Sequence, residues 1–315
     1  MSATSHHEGV VKALIAGIVA NLAIGVAKFV AFLFSGSAAM LAEALHSVAD
    51  SSNQGLLALG LKRSQRLPTE THPFGFAKER YFWSFLVALI IFALGAVFAI
   101  YEGVHKISHP TPIQNPGWVY FALAVGIVFE SFALRVAWRE FREFRETNPG
   151  SLLEGLRATK DPTLPTVLFE DSAAIVGLLV ALVGVTVTVV TGDATYDGVA
   201  SIIIGLVLLG VSWFLAVESF SLLVGEAALP VEQSAIREVA ESDPAVVSVL
   251  ELLTLQRGPD SLLVALTLEF ADDLVTGQIE TAVCRLESAI KARIPTATHI
   301  FIETGSISSR SPEDA

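Results

Sequence analysis

The stretch FWSFLVALIIFALGAVFAI, Phe82–Ile100, runs without a single charged side chain. About 20 mostly apolar residues in a helix cross the roughly 30 Å of a bilayer's hydrocarbon core. A buried helix of a soluble protein is usually shorter and keeps one polar face. This stretch therefore reads as a membrane span, and five more follow outward from it. Together the six run roughly Val11–Phe34, Ala38–Leu61, Tyr81–Val104, Gly117–Trp138, Thr166–Val190 and Thr195–Val217; Ile175–Val190 is likewise free of charge.

Composition agrees with this reading. The chain is 52% hydrophobic and 17% charged, against about 45–50% and 25% in soluble domains. Disorder, collagen and coiled coil are excluded, since each needs polarity or a simple repeat. A net charge of -12 argues against nucleic acid as a partner. One cysteine, Cys284, rules out an intramolecular disulfide and any CxxC metal cluster. The acidity is uneven: residues 226–315 hold 15 acids and 6 bases, and residues 1–225 hold 17 acids and 14 bases.

The fold expected is an α-helical membrane protein with six spans, followed by a cytoplasmic α+β domain. Boundaries fall at 1–10 for an N-terminal tail, 11–220 for the membrane domain, 221–307 for the α+β domain and 308–315 for a C-terminal tail. Two loops are basic: Lys62, Arg63, Arg66, Lys78 and Arg80 lie between spans 2 and 3, and Arg135, Arg139, Arg142, Arg145, Arg157 and Lys160 between spans 4 and 5. On the other side Lys106 stands alone. The positive-inside rule puts both basic loops and both termini in the cytoplasm. No presequence is evident, which points to a prokaryotic plasma membrane. His6 and His7 sit in a polar start and read as solvated.

The α+β order comes from periodicity. Val231–Ala240 and Thr276–Ile294 carry helical stripes, while Val247–Leu255, Leu262–Phe270 and His299–Ile302 read as strands, the first two around a Gly258-Pro259-Asp260 turn. Such α-β-β-α-β order suits a two-layer domain. At under about 100 residues its core is marginal alone, so a homodimer is expected.

A charge at the centre of a span costs about 2.5–3.5 kcal/mol on insertion scales and so needs a reason. Seven titratable residues lie at least four positions from a span's end: Lys28, Glu43, His46, Asp50, Glu130, Glu170 and Asp171. His46 and Asp50 share a helical face at i and i+4, with Glu43 one turn earlier. Imidazole and carboxylate are both zinc ligands; a structural His–Asp hydrogen bond is the other reading. Glu170 and Asp171, adjacent on span 5, have no basic partner in sequence, and a divalent cation would relieve their repulsion. Adjacent residues point about 100° apart, so one faces the span 2 pair and the other a different neighbour. Glu130 reads as a ligand, a proton carrier or the partner of Lys28.

Three runs carry a resemblance. Gly36-Ser37-Ala38-Ala39-Met40-Leu41-Ala42-Glu43-Ala44-Leu45-His46-Ser47-Val48-Ala49-Asp50, His72-Pro73-Phe74-Gly75-Phe76 and Tyr196-Asp197-Gly198-Val199-Ala200-Ser201 resemble motifs of the cation diffusion facilitator family. The resemblance covers essentially the whole chain. It implies a dimeric exporter that moves zinc, or Mn2+, Co2+, Fe2+ or Cd2+, out of the cytoplasm in exchange for protons. In that family an (His/Asp)-x-x-x-Asp pair on helix 2 and a His-x-x-x-Asp pair on helix 5 hold the ion. His46 and Asp50 match the first pair and Asp171 the last residue, judged by its spacing to Gly177. The remaining His falls on Val167. Glu170, Glu130 or water could complete the shell, and the Glu-Asp pair resembles a divergent subgroup that includes mitochondrial zinc exporters. A carboxylate-rich site also suits harder ions such as Mn2+.

Two family sites are thin. The loop site lacks a second His, since that position is Phe76, which leaves His72 alone. In the tail, Leu250, Thr267 and Glu303 occupy the places of the family's binuclear zinc ligands, with His299 nearby, so dimerisation without tightly bound metal is expected. No GxxxxGK[ST] motif offers ATP coupling, and neither HExxH nor a nucleophile elbow supports an intramembrane enzyme. A non-transporting partner subunit or metal sensor remains open, because of Val167.

Overall fold

The computed structural model describes residues 21–147 and 160–305; His6, His7 and both tails lie outside them. The elements are α1 (Asn21–Ser35), α2 (Ala38–Ser64), α3 (Glu79–Ser108), α4 (Pro116–Thr147), α5 (Thr163–Thr191) and α6 (Thr195–Val224). Then come α7 (Pro230–Glu241), β1 (Val246–Gly258), β2 (Ser261–Phe270), α8 (Thr276–Arg293) and β3 (Ala297–Thr304).

Four of these helices, Glu79–Ser108, Pro116–Arg139, Thr163–Thr191 and Thr195–Val224, are long and apolar enough to cross a membrane. Helix α2 spans 27 residues, but buried Glu43, His46, Asp50 and Asn53 interrupt its apolar run. Polar groups here sit on the inside of a bundle while large apolar side chains such as Phe121, Phe132 and Trp213 face out. A water-soluble bundle has the reverse distribution, so this inversion marks a protein dissolved in lipid.

Small residues bring the helices together. A Cβ added to Gly103 of α3 would lie 2.6 Å from the Gly198 carbonyl oxygen of α6, and one on Gly198 would lie 2.8 Å from the Gly103 oxygen. Such contact lets backbones pack closely where lipid supplies no hydrophobic drive. Two hydroxyls add hydrogen bonds along the same seam: Ser201 donates to Ala99 O at 2.8 Å and Ser212 to Ala88 O at 3.0 Å. One feature was not legible in the sequence. Between Ile91 and Val97, α3 is a π-helix, bounded by ordinary α-helix on both sides.

Among the described residues, the second unit comprises 67–78, Lys160 and 221–305. Its sheet has the order β1-β2-β3. The β1–β2 hairpin is antiparallel, and β3 returns through α8 to lie parallel to β2. Along β2, Leu262, Val264, Leu266, Leu268 and Phe270 are buried while the residues between them are half-exposed. They form one core with Ile236 and Ala240 of α7 and Ala282, Leu286 and Ile290 of α8. The strands extend past the expected ends, β1 by three residues to Gly258, because backbone pairing continues through polar positions that apolar alternation cannot register.

The loop after α2 belongs to this unit. Arg257 donates to Phe74 O and stacks its guanidinium 4.7 Å from the Phe74 ring centre. Phe74 also meets His299 edge-on at 5.3 Å.

Candidate metal site within the helix bundle

Helix α2 begins at Ser37, whose hydroxyl accepts from Met40 N. The rest of this cap comes from another helix. Asp197, at the start of α6 and fully buried, accepts from Ser37 Oγ at 2.6 Å, Ala38 N at 2.7 Å and Ala39 N at 3.4 Å. The carboxylate thereby meets the positive end of the α2 dipole, and Lys106 Nζ lies 3.8 Å away. The sequence reading took Asp197 only as part of a motif. The signal available was an acid one residue inside an apolar run.

Two contacts fix α2 against α5. Glu43 packs on Gly177, where an added Cβ would collide with Glu43 Oε1. Ten residues on, Asn53 donates to Glu170 Oε1 at 2.7 Å. Residue numbers rise on one helix as they fall on the other, so the two are antiparallel. His46 and Asp50 lie between these contacts and so fall level with the 171–175 stretch of α5. There Ala173 and Ala174 are buried and small.

Within this segment, His46 Nδ1 and Asp50 Oδ1 stand 3.5 Å apart, too far for a good hydrogen bond. Both ring nitrogens of His46, Asp50 Oδ1 and Glu43 Oε1 are buried and lack a hydrogen-bond partner. Buried polar atoms are paired in the great majority of cases, and unpaired ones call for an explanation such as an ion. Two ligand atoms at about 2.1 Å from a tetrahedral zinc lie about 3.4 Å apart, close to the separation seen. Glu170, Glu130 and Asp171 are the acidic neighbours whose charges act on Asp50. Glu130 and Glu170 are buried, and Asp171 is half-exposed. Among the described residues, no three His, Cys, Asp or Glu side chains close on one point in this conformation.

Of the three readings open for Glu130, pairing with Lys28 is not the one found: Lys28 pairs with Glu43, at 3.0 Å, and also donates to Ser47 Oγ at 2.9 Å. A Cβ on Gly126 of α4 would lie 3.4 Å from Lys28 Cε, so the side chain passes α4 on its way to α2. One Glu43 oxygen is therefore held by an ammonium, and a neutral pair replaces a free ligand. Val167 packs with Ala137, Phe141 and Leu168 in a small apolar cluster, a setting no metal ligand would favour.

The other two candidate sites show structural roles. His72 is exposed, stacks on Phe76 at 4.5 Å and hydrogen-bonds Thr71 Oγ1 at 3.0 Å. In the sheet, Thr267 pairs with Glu303 in register, and a Cβ on Gly305 would touch Thr267 and Leu250. These three positions do come together, but Glu303 is the single carboxylate among them. His299 is taken by Arg257 Nη1 at 3.1 Å and Thr298 Oγ1 at 3.0 Å.

A model of the cation efflux transmembrane domain matches residues 14–224, most of the chain. The chain belongs to the cation efflux, or cation diffusion facilitator, family. This is a family of divalent-metal transporters and not of enzymes. The cation efflux protein is 36% identical over 249 residues to the proton-coupled zinc antiporter SLC30A9, mitochondrial, of Xenopus laevis and 34% identical to the human protein of that name. It is 31% identical over 248 residues to metal tolerance protein C4 of Arabidopsis thaliana. Each alignment covers 79% of this chain, but 44% of the two vertebrate relatives and 54% of the plant one. The cation efflux protein thus spans less than half the length of those vertebrate relatives. Their names also correct the expected location: relatives matching over most of this chain are mitochondrial proteins of eukaryotes, which overturns the prokaryotic plasma membrane.

Proposed function

We propose that this cation efflux protein exports a divalent cation, zinc by preference, in exchange for protons, by alternating access in a six-helix membrane domain. The observation that carries the reading is the His46–Asp50 pair, 3.5 Å apart and buried, with both imidazole nitrogens unpartnered. Asp171 adds a ligand from α5, and Glu170, Glu130 on α4 or water completes the shell once the helices close on the ion. Glu43 is set aside by Lys28. The relatives named as proton-coupled zinc antiporters support zinc and the proton. Three acidic neighbours leave Mn2+, Co2+, Fe2+ and Cd2+ as weaker substrates. Protons and metal compete for the same lone pairs, so loading releases protons and protonation expels the ion. The rocking of the bundle between two openings then couples the flows.

Exposed Val247, Leu253 and Phe301 on the strands support a homodimer made through the α+β domain. The mitochondrial designation of the relatives favours an organellar membrane. In proteoliposomes holding a zinc dye and a pH gradient, Asp50→Asn abolishes zinc uptake without lowering the unfolding temperature. Undiminished uptake by that variant would refute the site. A second reading, a partner subunit or metal sensor, is favoured by Val167 in its apolar cluster. Counterflow of zinc and protons in the unmodified protein decides between the two, since a sensor shows none.

A further inference from the structure

The end of α3 away from the basic loops holds a group that transport leaves unused. His105 lies in the last turn and His109 at the C-cap, where its N–H still bonds His105 O at 2.8 Å. Both side chains are exposed. Their ring centres are 4.9 Å apart with the planes inclined by 29°. Tyr101, one turn earlier, stacks on His105 at 6.3 Å and 12°. Three rings thus stand in file along one helix face.

Two histidines at i and i+4 are the spacing by which a helix chelates zinc. The helix C-terminus adds partial negative charge, which favours a cation within the last turn. The one lysine nearby does not compete. Lys106 Nζ is turned to the inside, where it donates to Thr111 Oγ1 at 2.8 Å and to Gly36 O, and lies 3.8 Å from Asp197. Its charge is met within the bundle, not beside the imidazoles.

We propose that His105 and His109 form a second metal site, for a borderline divalent cation such as Zn2+, on the side of the bundle opposite the basic loops. Both side chains are exposed, so a small turn of each ring converts the stack into a chelate with one nitrogen from each. Two imidazoles leave the other positions of a tetrahedral ion to water, so binding is weak and exchange is fast. That suits a site holding an ion after its discharge at the far mouth. The chelate stands on α3 alone and does not depend on the His46–Asp50 site.

The test is protection from diethyl pyrocarbonate in the full chain in nanodiscs, read residue by residue by peptide mass spectrometry. An Asp50→Asn background removes the intramembrane site. Zn2+ is expected to slow carbethoxylation of His105 and His109 several-fold, whereas Mg2+, which prefers oxygen ligands, leaves both rates unchanged. In His105→Gln, zinc no longer protects His109, because the chelate is broken. Equal rates with and without Zn2+, or protection of His109 that survives His105→Gln, would overturn the proposal. Both residues are exposed, so the variant folds as the parent does.

Discussion

Replacing Lys28 with methionine removes the ammonium from a fully buried pair and leaves its partner Glu43, also fully buried, without a cation. Glu43 has nowhere to turn: Gly177 closes on one oxygen and the other had Lys28. Losing one member of a buried ion pair costs about 3–5 kcal/mol. In a domain of this size each kcal/mol moves the midpoint by about 2–4 °C, giving an expected fall of about 6–20 °C. The double variant Lys28→Met with Glu43→Gln removes both charges and should recover most of that loss, since exchanging a buried pair for neutral groups is often close to neutral. The assay is thermal unfolding of the purified full chain in detergent, followed by tryptophan fluorescence, for the parent, both single variants and the double variant. A coupling energy below about 0.5 kcal/mol across that cycle would show that Lys28 and Glu43 do not act as a pair, and would return Glu43 to the set of free ligands.

Asp197→Ala strips the start of α2 of three acceptor contacts, and about 2–5 kcal/mol of destabilisation is expected, read as a lower midpoint in the same unfolding assay; Asp197→Asn should cost less because one oxygen remains. Gly103→Val forces a side chain into the Gly198 backbone, so α3 and α6 separate, and a cysteine pair placed across that seam should lose its cross-linking yield. In the α+β domain, burial first, then Arg257 and Lys291, hold His299 below the usual histidine range. The unfolded chain then takes up the proton more readily, so the stabilisation is whole above about pH 6.5 and is lost as pH falls below it. Unfolding followed by circular dichroism across that range should show the loss in the parent and a flatter curve in His299→Gln. Asp243, held low by hydrogen bonds from Arg285, keeps its contribution until about pH 3.9 and loses it in more acid solution.

The seven titratable residues set well inside the apolar spans were legible because lipid penalises them whatever their neighbours. The identity of those neighbours was not legible, since pairing depends on which helices touch. Lys28 illustrates this: the sequence offered Glu130 as one candidate partner, and the helices bring it to Glu43. The capping role of Asp197 was not legible for a related reason: at the edge of a span an acid looks like an ordinary loop residue until another helix end is placed beside it. In the sheet domain apolar and β-rich runs located the three strands of the described residues, but strand ends depend on backbone hydrogen bonds, on which side-chain polarity is silent. That His46 and Asp50 share a helix face was legible from i,i+4 spacing, whereas the unpartnered state of their polar atoms required coordinates.

The π-helical stretch Ile91–Val97 acts as a phase setting for the rest of α3. A π turn holds one residue more than the α turn it replaces, and one residue corresponds to about 100° of rotation. Deleting a single residue there would restore regular winding and swing everything beyond it, from Phe98 to Ser108, round the helix axis by that angle. Gly103 would leave the Gly198 backbone, and Lys106 would leave Gly36 and Thr111. The inner half of α3 would keep its place while the outer half presented the wrong face. An insertion or deletion within these seven residues is therefore expected to be far less tolerated than a substitution at any one of them, although none carries a charge.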